Sequence, residues 1–225
     1  MTTQSVRHLT CAETAKLVRA ALKKNFPGVK FSVRSDVYSM GASIDVTWVL
    51  GPTSKEVEHI AKQYESADFD GSIDLEVLSN HWLLPDGTAI IRKSPGTQGS
   101  MGYIPAESNE PPPGAEPVFF GAHYVQCQRR YADDWHDEQP LIERVAQDMC
   151  KLNGVAWNGL NLTTGLYGEG DHEQVNQHAW RLLNVTSFKP GESYAGVRWA
   201  TEEERNKLDS IMVVIKESYP MAGKC

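Results

Sequence analysis

Two short capping signatures place the strictest condition on how this chain can fold. Thr10-Cys11-Ala12-Glu13 and Thr53-Ser54-Lys55-Glu56 each set a hydroxyl three residues ahead of a carboxylate. The two side chains then satisfy each other's orphan backbone donors at a helix start. The first signature predicts a helix to about Asn25, stopped by Pro27-Gly28, with Leu17, Val18, Ala21 and Leu22 on its apolar side. The period then changes from 3.6 to 2. Val29, Phe31 and Val33 alternate along one predicted strand, and Ile44, Val46, Trp48 and Leu50 along a second, with a turn over 36–42 between them. The second signature opens a helix whose inward positions are Val57, Ile60, Ala61 and Tyr64. Asp68-Phe69-Asp70-Gly71 reads as a turn, followed by strands over 72–78 and 88–92. Residues 1–93 therefore read α-β-β-α-β-β, an α+β fold with small antiparallel sheets and packed helices.

Residues 94–117 change character. Proline and glycine cluster at Ser94-Pro95-Gly96 and Glu110-Pro111-Pro112-Pro113-Gly114, and a chain short of backbone donors there reads as a linker or loop. Residues 118–225 are expected to form a C-terminal α+β domain. It would hold a strand over 118–131, helices over 140–152 and 171–183, strands over 185–188 and 194–200, and a last helix from Thr201. Ile44-Asp45-Val46-Thr47-Trp48 before the Thr53 helix echoes Gly196-Val197-Arg198-Trp199-Ala200 before the Thr201 helix. That echo would make two related α-β-β-α subdomains.

Charge is segregated along the chain. The whole carries 22 basic and 29 acidic residues, a net of −7. Residues 1–35 nevertheless hold seven basic residues against Glu13 alone, whereas residues 36–93 hold four basic against ten acidic. Lys16, Arg19 and Lys23 recur at i, i+3 and i+7, which puts them on one helix side suited to phosphate or to an acidic protein surface. Glu65, Asp68, Asp70, Asp74 and Glu76 follow one another with no basic residue between them. Such a run can imitate a phosphate backbone toward a basic groove. It does not fit a calcium loop, because Ile73 and Ser79 occupy the positions that need Gly and Glu.

Several function classes find no support. No apolar run approaches the roughly 20 residues of a membrane span, and Met1–His8 lacks the apolar core of a signal peptide, so a cytoplasmic protein is expected. Cys11, Cys127, Cys150 and Cys225 are scattered, which argues for reduced thiols and against a zinc ribbon. Asp133–Glu138 and Glu169–Glu173 resemble metal ligands, yet each precedes a predicted helix, where acidic residues favour the positive end of the dipole. Gly165–Gly170 lacks the Gly-Lys-Ser/Thr ending of a phosphate loop, and no nucleophile elbow or deaminase signature occurs. No catalytic residue, metal site or cofactor is assigned.

From His8 to about Glu76 the chain resembles the twenty-ninth of the large polyvalent protein-associated domain families. The residues carrying this resemblance are Glu13–Arg19, Phe26–Ser35, Ser43–Trp48, Gly51-Pro52-Thr53 and Asp68–Gly71. It implies an origin in phages and conjugative elements, in proteins delivered with DNA and associated with countering host defence. The expectation is a non-enzymatic counter-defence protein of anti-CRISPR or anti-restriction type, partnered with a host CRISPR effector or restriction enzyme. A nucleic-acid-binding module of a mobile element is the alternative, and an enzyme modifying a host defence component a further one. The candidate contact residues are Lys16, Arg19, Lys23, Arg34, Asp45, Asp68, Asp70 and Asp74.

Overall fold

A computed structural model describes residues 5–70, 74–92, 110–152 and 171–196, together with 202, 203 and 206. The chain starts with a two-residue strand β1 (Arg7–His8) and helix α1 (Cys11–Asn25). The predicted capping box closes α1. Glu13 N–H donates to Thr10 Oγ1 at 3.2 Å, and Thr10 N–H donates to Glu13 Oε2 at 2.8 Å. Ala15, Val18 and Leu22 then bury the inner side of the helix.

Strands β2 (Ser32–Tyr38) and β3 (Gly41–Val49) form an antiparallel hairpin in which Tyr38 pairs with Gly41 and Val33 with Val46. Ile44, Val46 and Trp48 are buried, as their alternation predicts. Helix α2 (Ser54–Ala61) continues into a 3-10 turn at Lys62–Tyr64 and buries Val57, Ala61 and Tyr64. Next come β4 (Ala67–Asp70), β5 (Leu75–Leu78), β6 (Asn80–Leu83), β7 (Ala89–Arg92), β8 (Glu116–Phe119) and β9 (Tyr124–Arg130). Helices α3 (Glu138–Leu152) and α4 (Asp171–Val185) follow.

The strands make a four-stranded sheet in the order β1-β8-β6-β7, a three-stranded sheet β2-β3-β9 and a two-stranded β4-β5 ribbon. Strand β1 pairs with β8 in parallel, while β6 pairs antiparallel with both β7 and β8. The architecture is α+β, as expected.

The described residues form two compact units, one within Met1–Trp48 and Ser54–Arg129, the other within Val49–Thr53 and Arg130–Cys225. The first has its core between α1, α2 and β3, completed by Val118, Phe120 and Val125. The second packs Val145, Ala146 and Met149 of α3 on Val175, Ala179 and Leu182 of α4, with Tyr131, Phe188 and Tyr194 at the edges. Tyr194 Oη donates to Asp148 Oδ2 at 2.7 Å, and the Arg144 guanidinium stacks 5.5 Å from the Tyr194 ring.

Several expectations are corrected. The turn foreseen over 36–42 shrinks to Ser39-Met40, because β2 pairs with β3 as far as Tyr38. Asp68–Asp70 is strand, held by pairing with Leu75–Leu78, which outweighs the turn bias of Asp and Gly. The strand over 118–131 divides into β8 and β9. The break lies at Gly121, whose amide donates to Thr14 Oγ1 at 3.1 Å. A Cβ on Gly121 would lie 2.4 Å from Leu9 O, so only glycine allows this approach. Residues 116–129 therefore belong to the first unit, and the expected division at 118 moves to Arg130. Among the described residues, Thr186–Gly196 contains no strand, which removes the strand expected over 185–188, while residues 197–200 of the echoed segment lie outside the described residues. Gly165–Gly170 and most of the predicted last helix lie outside the described residues.

Candidate interaction surface

The sequence-predicted contact residues fall on three parts of the first unit: helix α1, the β2–β3 hairpin and the β4–β5 ribbon. On α1, Lys16 and Lys23 are exposed and make no ion pair among the described residues. Arg19 departs from the predicted stripe, because its Nη2 donates to Val33 O of β2 at 2.7 Å. That guanidinium ties helix to sheet and leaves a two-lysine face. Lys24, one residue on, reaches Asp86 at 3.1 Å. The Asp86 carboxylate also accepts from Thr88 N–H at 3.0 Å and from Thr88 Oγ1 at 2.9 Å. These Thr88 bonds, with Lys24 behind them, hold its pKa down at about 2.

The β2–β3 hairpin carries Arg34 and Asp45 directly opposite each other, Arg34 exposed and Asp45 half-buried. Beyond them, the tip exposes Val37 (72%), Tyr38 (47%) and Met40 (88%). Sequence reasoning missed these three residues. Reading 36–42 as a turn concealed a strand that presents apolar side chains to solvent.

The acidic group lies on β4 and β5. Asp68 and Asp70 sit in β4, paired with Val77 and Leu75. Their side chains lie outside what the structure describes. Asp74 is exposed at the turn with φ 54°, the left-handed region that aspartate tolerates better than most residues. Glu76 is exposed on β5, and its Oε1 lies 3.2 Å from His123 Nδ1. That pair joins the ribbon to the segment preceding β9. Glu65 turns the other way, its Oε1 accepting from Val125 N–H at 2.8 Å.

Along α2 the surface is grooved. An apolar-floored groove of about 650 Å³ runs between Lys55 and His59 of α2, with Lys62 of the 3-10 turn, and Ala89, Ile90 and Ile91 of β7. A smaller cleft of about 260 Å³ lies between α1 and the β6–β7 turn, where Tyr64 Oη donates to Gly87 O at 2.7 Å. Burial, with Asp86 near by, pushes the Tyr64 hydroxyl up to about 12, so it stays a neutral donor.

Among the described residues the thiols are protonated at neutral pH. Burial pushes Cys127 to about 12 and Cys150 to about 11, and raises Cys11. Among the described residues no three His, Cys, Asp or Glu side chains are grouped to hold a metal ion. In the Asp133–Glu138 segment, Asp134 Oδ1 accepts from His136 N–H at 3.0 Å, the helix-start role expected of it. No helix among the described residues is long and apolar enough to cross a membrane.

The first unit, from α1 through β9, coincides closely with a family model. Residues 9–132 match the large polyvalent protein associated domain 29. The chain belongs to this family. Its match extends well past Glu76, where the sequence resemblance stopped, and takes in β6 to β9, the strands that complete the first core. The family is a domain associated with the polyvalent proteins of mobile elements. No curated protein and no solved structure matches the chain.

Proposed function

We propose that this protein is a counter-defence protein of a phage or plasmid. It binds a host nucleic-acid-targeting complex, a CRISPR effector or a restriction enzyme, and inhibits or disassembles it without making or breaking a covalent bond. The observation that carries this reading is the separation of charge within one domain. Helix α1 presents Lys16 and Lys23, while Asp68, Asp70, Asp74 and Glu76 are concentrated on a single ribbon. A bipolar surface of this kind steers a protein onto a charged partner and fixes its orientation there. Membership of a mobile-element family supports the biological setting. The acidic ribbon is complementary to a groove built for phosphate, and the lysine face to an acidic flank.

The test combines survival and capture. Phage or plasmid survival is measured in cells with and without each defence system, and the tagged chain is used to co-purify the defence complex. Protection confined to defended cells, weakened by Asp74→Lys with Glu76→Lys, is the expected result. Equal survival in defended and undefended cells removes the proposal. The alternative nucleic-acid-binding module would use the same α1 face. Its mark is direct DNA binding that Lys16→Glu with Lys23→Glu abolishes and that weakens steeply with salt.

A further inference from the structure

We propose that the outer edge of β2 is a self-association edge. A second copy of this chain adds its own β2 antiparallel to the first, about a two-fold axis passing through Ser35.

Backbone parity is the first ground. Among the described residues, strand β2 is a terminal strand of its sheet. The two-residue turn Ser39-Met40 makes Tyr38–Gly41 the hydrogen-bonded pair that closes the hairpin. Alternation then directs the backbone groups of Ser32, Arg34, Asp36 and Tyr38 toward β3. Those of Val33, Ser35 and Val37 face outward. The Arg19 bond to Val33 O agrees with this parity, since α1 reaches a carbonyl that β3 does not use. A carbonyl oxygen has two lone pairs, so Val33 O can accept a second donor while keeping Arg19.

Self-complementarity is the second ground. Rotation about Ser35 sets Arg34 opposite Asp36 of the second copy, and Asp36 opposite Arg34 of that copy. Val33 meets Val37, and Ser32 meets Tyr38. The outward backbone groups of Val33, Ser35 and Val37 form the intermolecular hydrogen bonds. The two charge pairs occupy non-hydrogen-bonded positions, where facing side chains come closest. Shifting the axis by one residue places Arg34 opposite Arg34, or Asp36 opposite Asp36, and is repulsive. The charges therefore select one register. Arg34 faces Asp45 across the hairpin and forms no ion pair among the described residues, so its guanidinium is available.

Exposure is the third ground. Soluble proteins shield long edge strands, yet residues 34–38 are all exposed, and Val37, Tyr38 and Met40 add apolar surface at the tip. A seven-residue edge covers less than the roughly 1,200–2,000 Å² of a standard interface. The dimer is accordingly a weak, concentration-dependent one.

Sedimentation equilibrium of the full chain, from low to high micromolar, tests this. The wild type is expected to dimerise. Arg34→Asp and Asp36→Arg are each expected to weaken the dimer about tenfold, because each sets two like-charge pairs face to face. The exchanged double variant Arg34→Asp/Asp36→Arg restores wild-type association, since the two-fold register pairs the charges again. Ser35→Pro, which removes an outward N–H and leaves the β3 ladder intact, gives a monomer. Circular dichroism confirms that each variant is folded. A wild type that stays monomeric overturns the proposal. Single-charge variants that associate like the wild type overturn it as well, as does a folded double exchange that remains monomeric.

Discussion

The imidazole of His81 makes the first unit acid-sensitive, by an amount that can be worked out. His81 lies in the middle of the four-stranded sheet, opposite Ile91 on β7 and Val118 on β8, with its ring 4.8 Å from the Phe120 ring. It is 0% exposed, and among the described residues neither ring nitrogen meets a partner in good hydrogen-bond geometry. Burial pushes its pKa down from 6.5 to about 4, with the Ser79 backbone offsetting part of the effect. Because the folded value is depressed, the unfolded chain takes up the proton first as pH falls, and stability is lost between pH 6.5 and 4. At roughly 1.4 kcal/mol for each tenfold change in proton affinity, the full loss is about 3 kcal/mol. Between neutral pH and the middle of that window it is about 2 kcal/mol.

Carboxylates titrate over the same range, so the measurement must isolate His81. Urea unfolding of the full chain at neutral and mildly acidic pH, for the wild type and for His81→Leu, does so. Leucine is lost or gained equally at both pH values, and only the wild type carries the imidazole penalty. The wild type should lose about 2 kcal/mol more than the variant on acidification. A nitrogen-detected titration of the folded protein should find the His81 ring neutral well below pH 6.5. Equal acid losses in the two proteins, or a ring titrating near 6.5, would refute the argument.

Two further predictions concern the start of α1 and the segment it leans on. Gly121→Ala forces a Cβ to within 2.4 Å of Leu9 O and 2.5 Å of Cys11 N, both backbone atoms that cannot swing aside. It should cost at least about 2 kcal/mol, read as a lowered melting temperature. Thr10→Ala removes the hydroxyl that accepts from Glu13 N–H and should cost about 1 kcal/mol, with Thr10→Ser keeping most of the wild-type stability.

What could be read from the sequence was what is decided locally. The Thr10–Glu13 box and the apolar side of α1 are fixed by neighbours within one turn, and so were foreseen. The same holds for Ile44, Val46 and Trp48, whose burial follows from alternation alone. Strand β6 was missed because Asn80-His81-Trp82-Leu83 does not alternate. Three consecutive residues of it are buried, which requires cover on both faces of the sheet, a long-range arrangement that a four-residue segment does not announce. Strand β1, two residues long, carries no periodicity at all and exists because Arg7 and His8 pair with Val118 and Phe119. In the candidate surface, Lys16 and Lys23 are exposed as their spacing implied. The reach of Arg19 to Val33 O is a tertiary contact, and a helical wheel holds no trace of it. Val37 and Tyr38 were concealed for the opposite reason, because local turn preference masked a strand set by long-range pairing.

The same distinction explains why the family domain cannot end at residue 93, where the sequence seemed to divide. The short segment from Phe119 to Val125 bonds to four separate parts of the preceding chain. Phe119 O accepts from Leu9 N–H at 2.9 Å, and Gly121 N–H donates to Thr14 at the start of α1. Ala122 O accepts from Ser66 N–H at 2.9 Å, and His123 N–H donates to Ala42 O at 2.8 Å. Val125 N–H donates to Glu65. Without this segment the buried hydroxyl of Thr14 loses the Gly121 amide, and the core loses Val118, Phe120 and Val125, each at most 1% exposed. Three vacated core positions each cost of the order of 1–3 kcal/mol, and the hydrogen bonds lost with the segment add to that. Together they rival the whole stability of a small domain. The family match closing at residue 132 and the first unit closing at Arg129 thus have one physical cause: the first two-fifths of the chain cannot bury its own core.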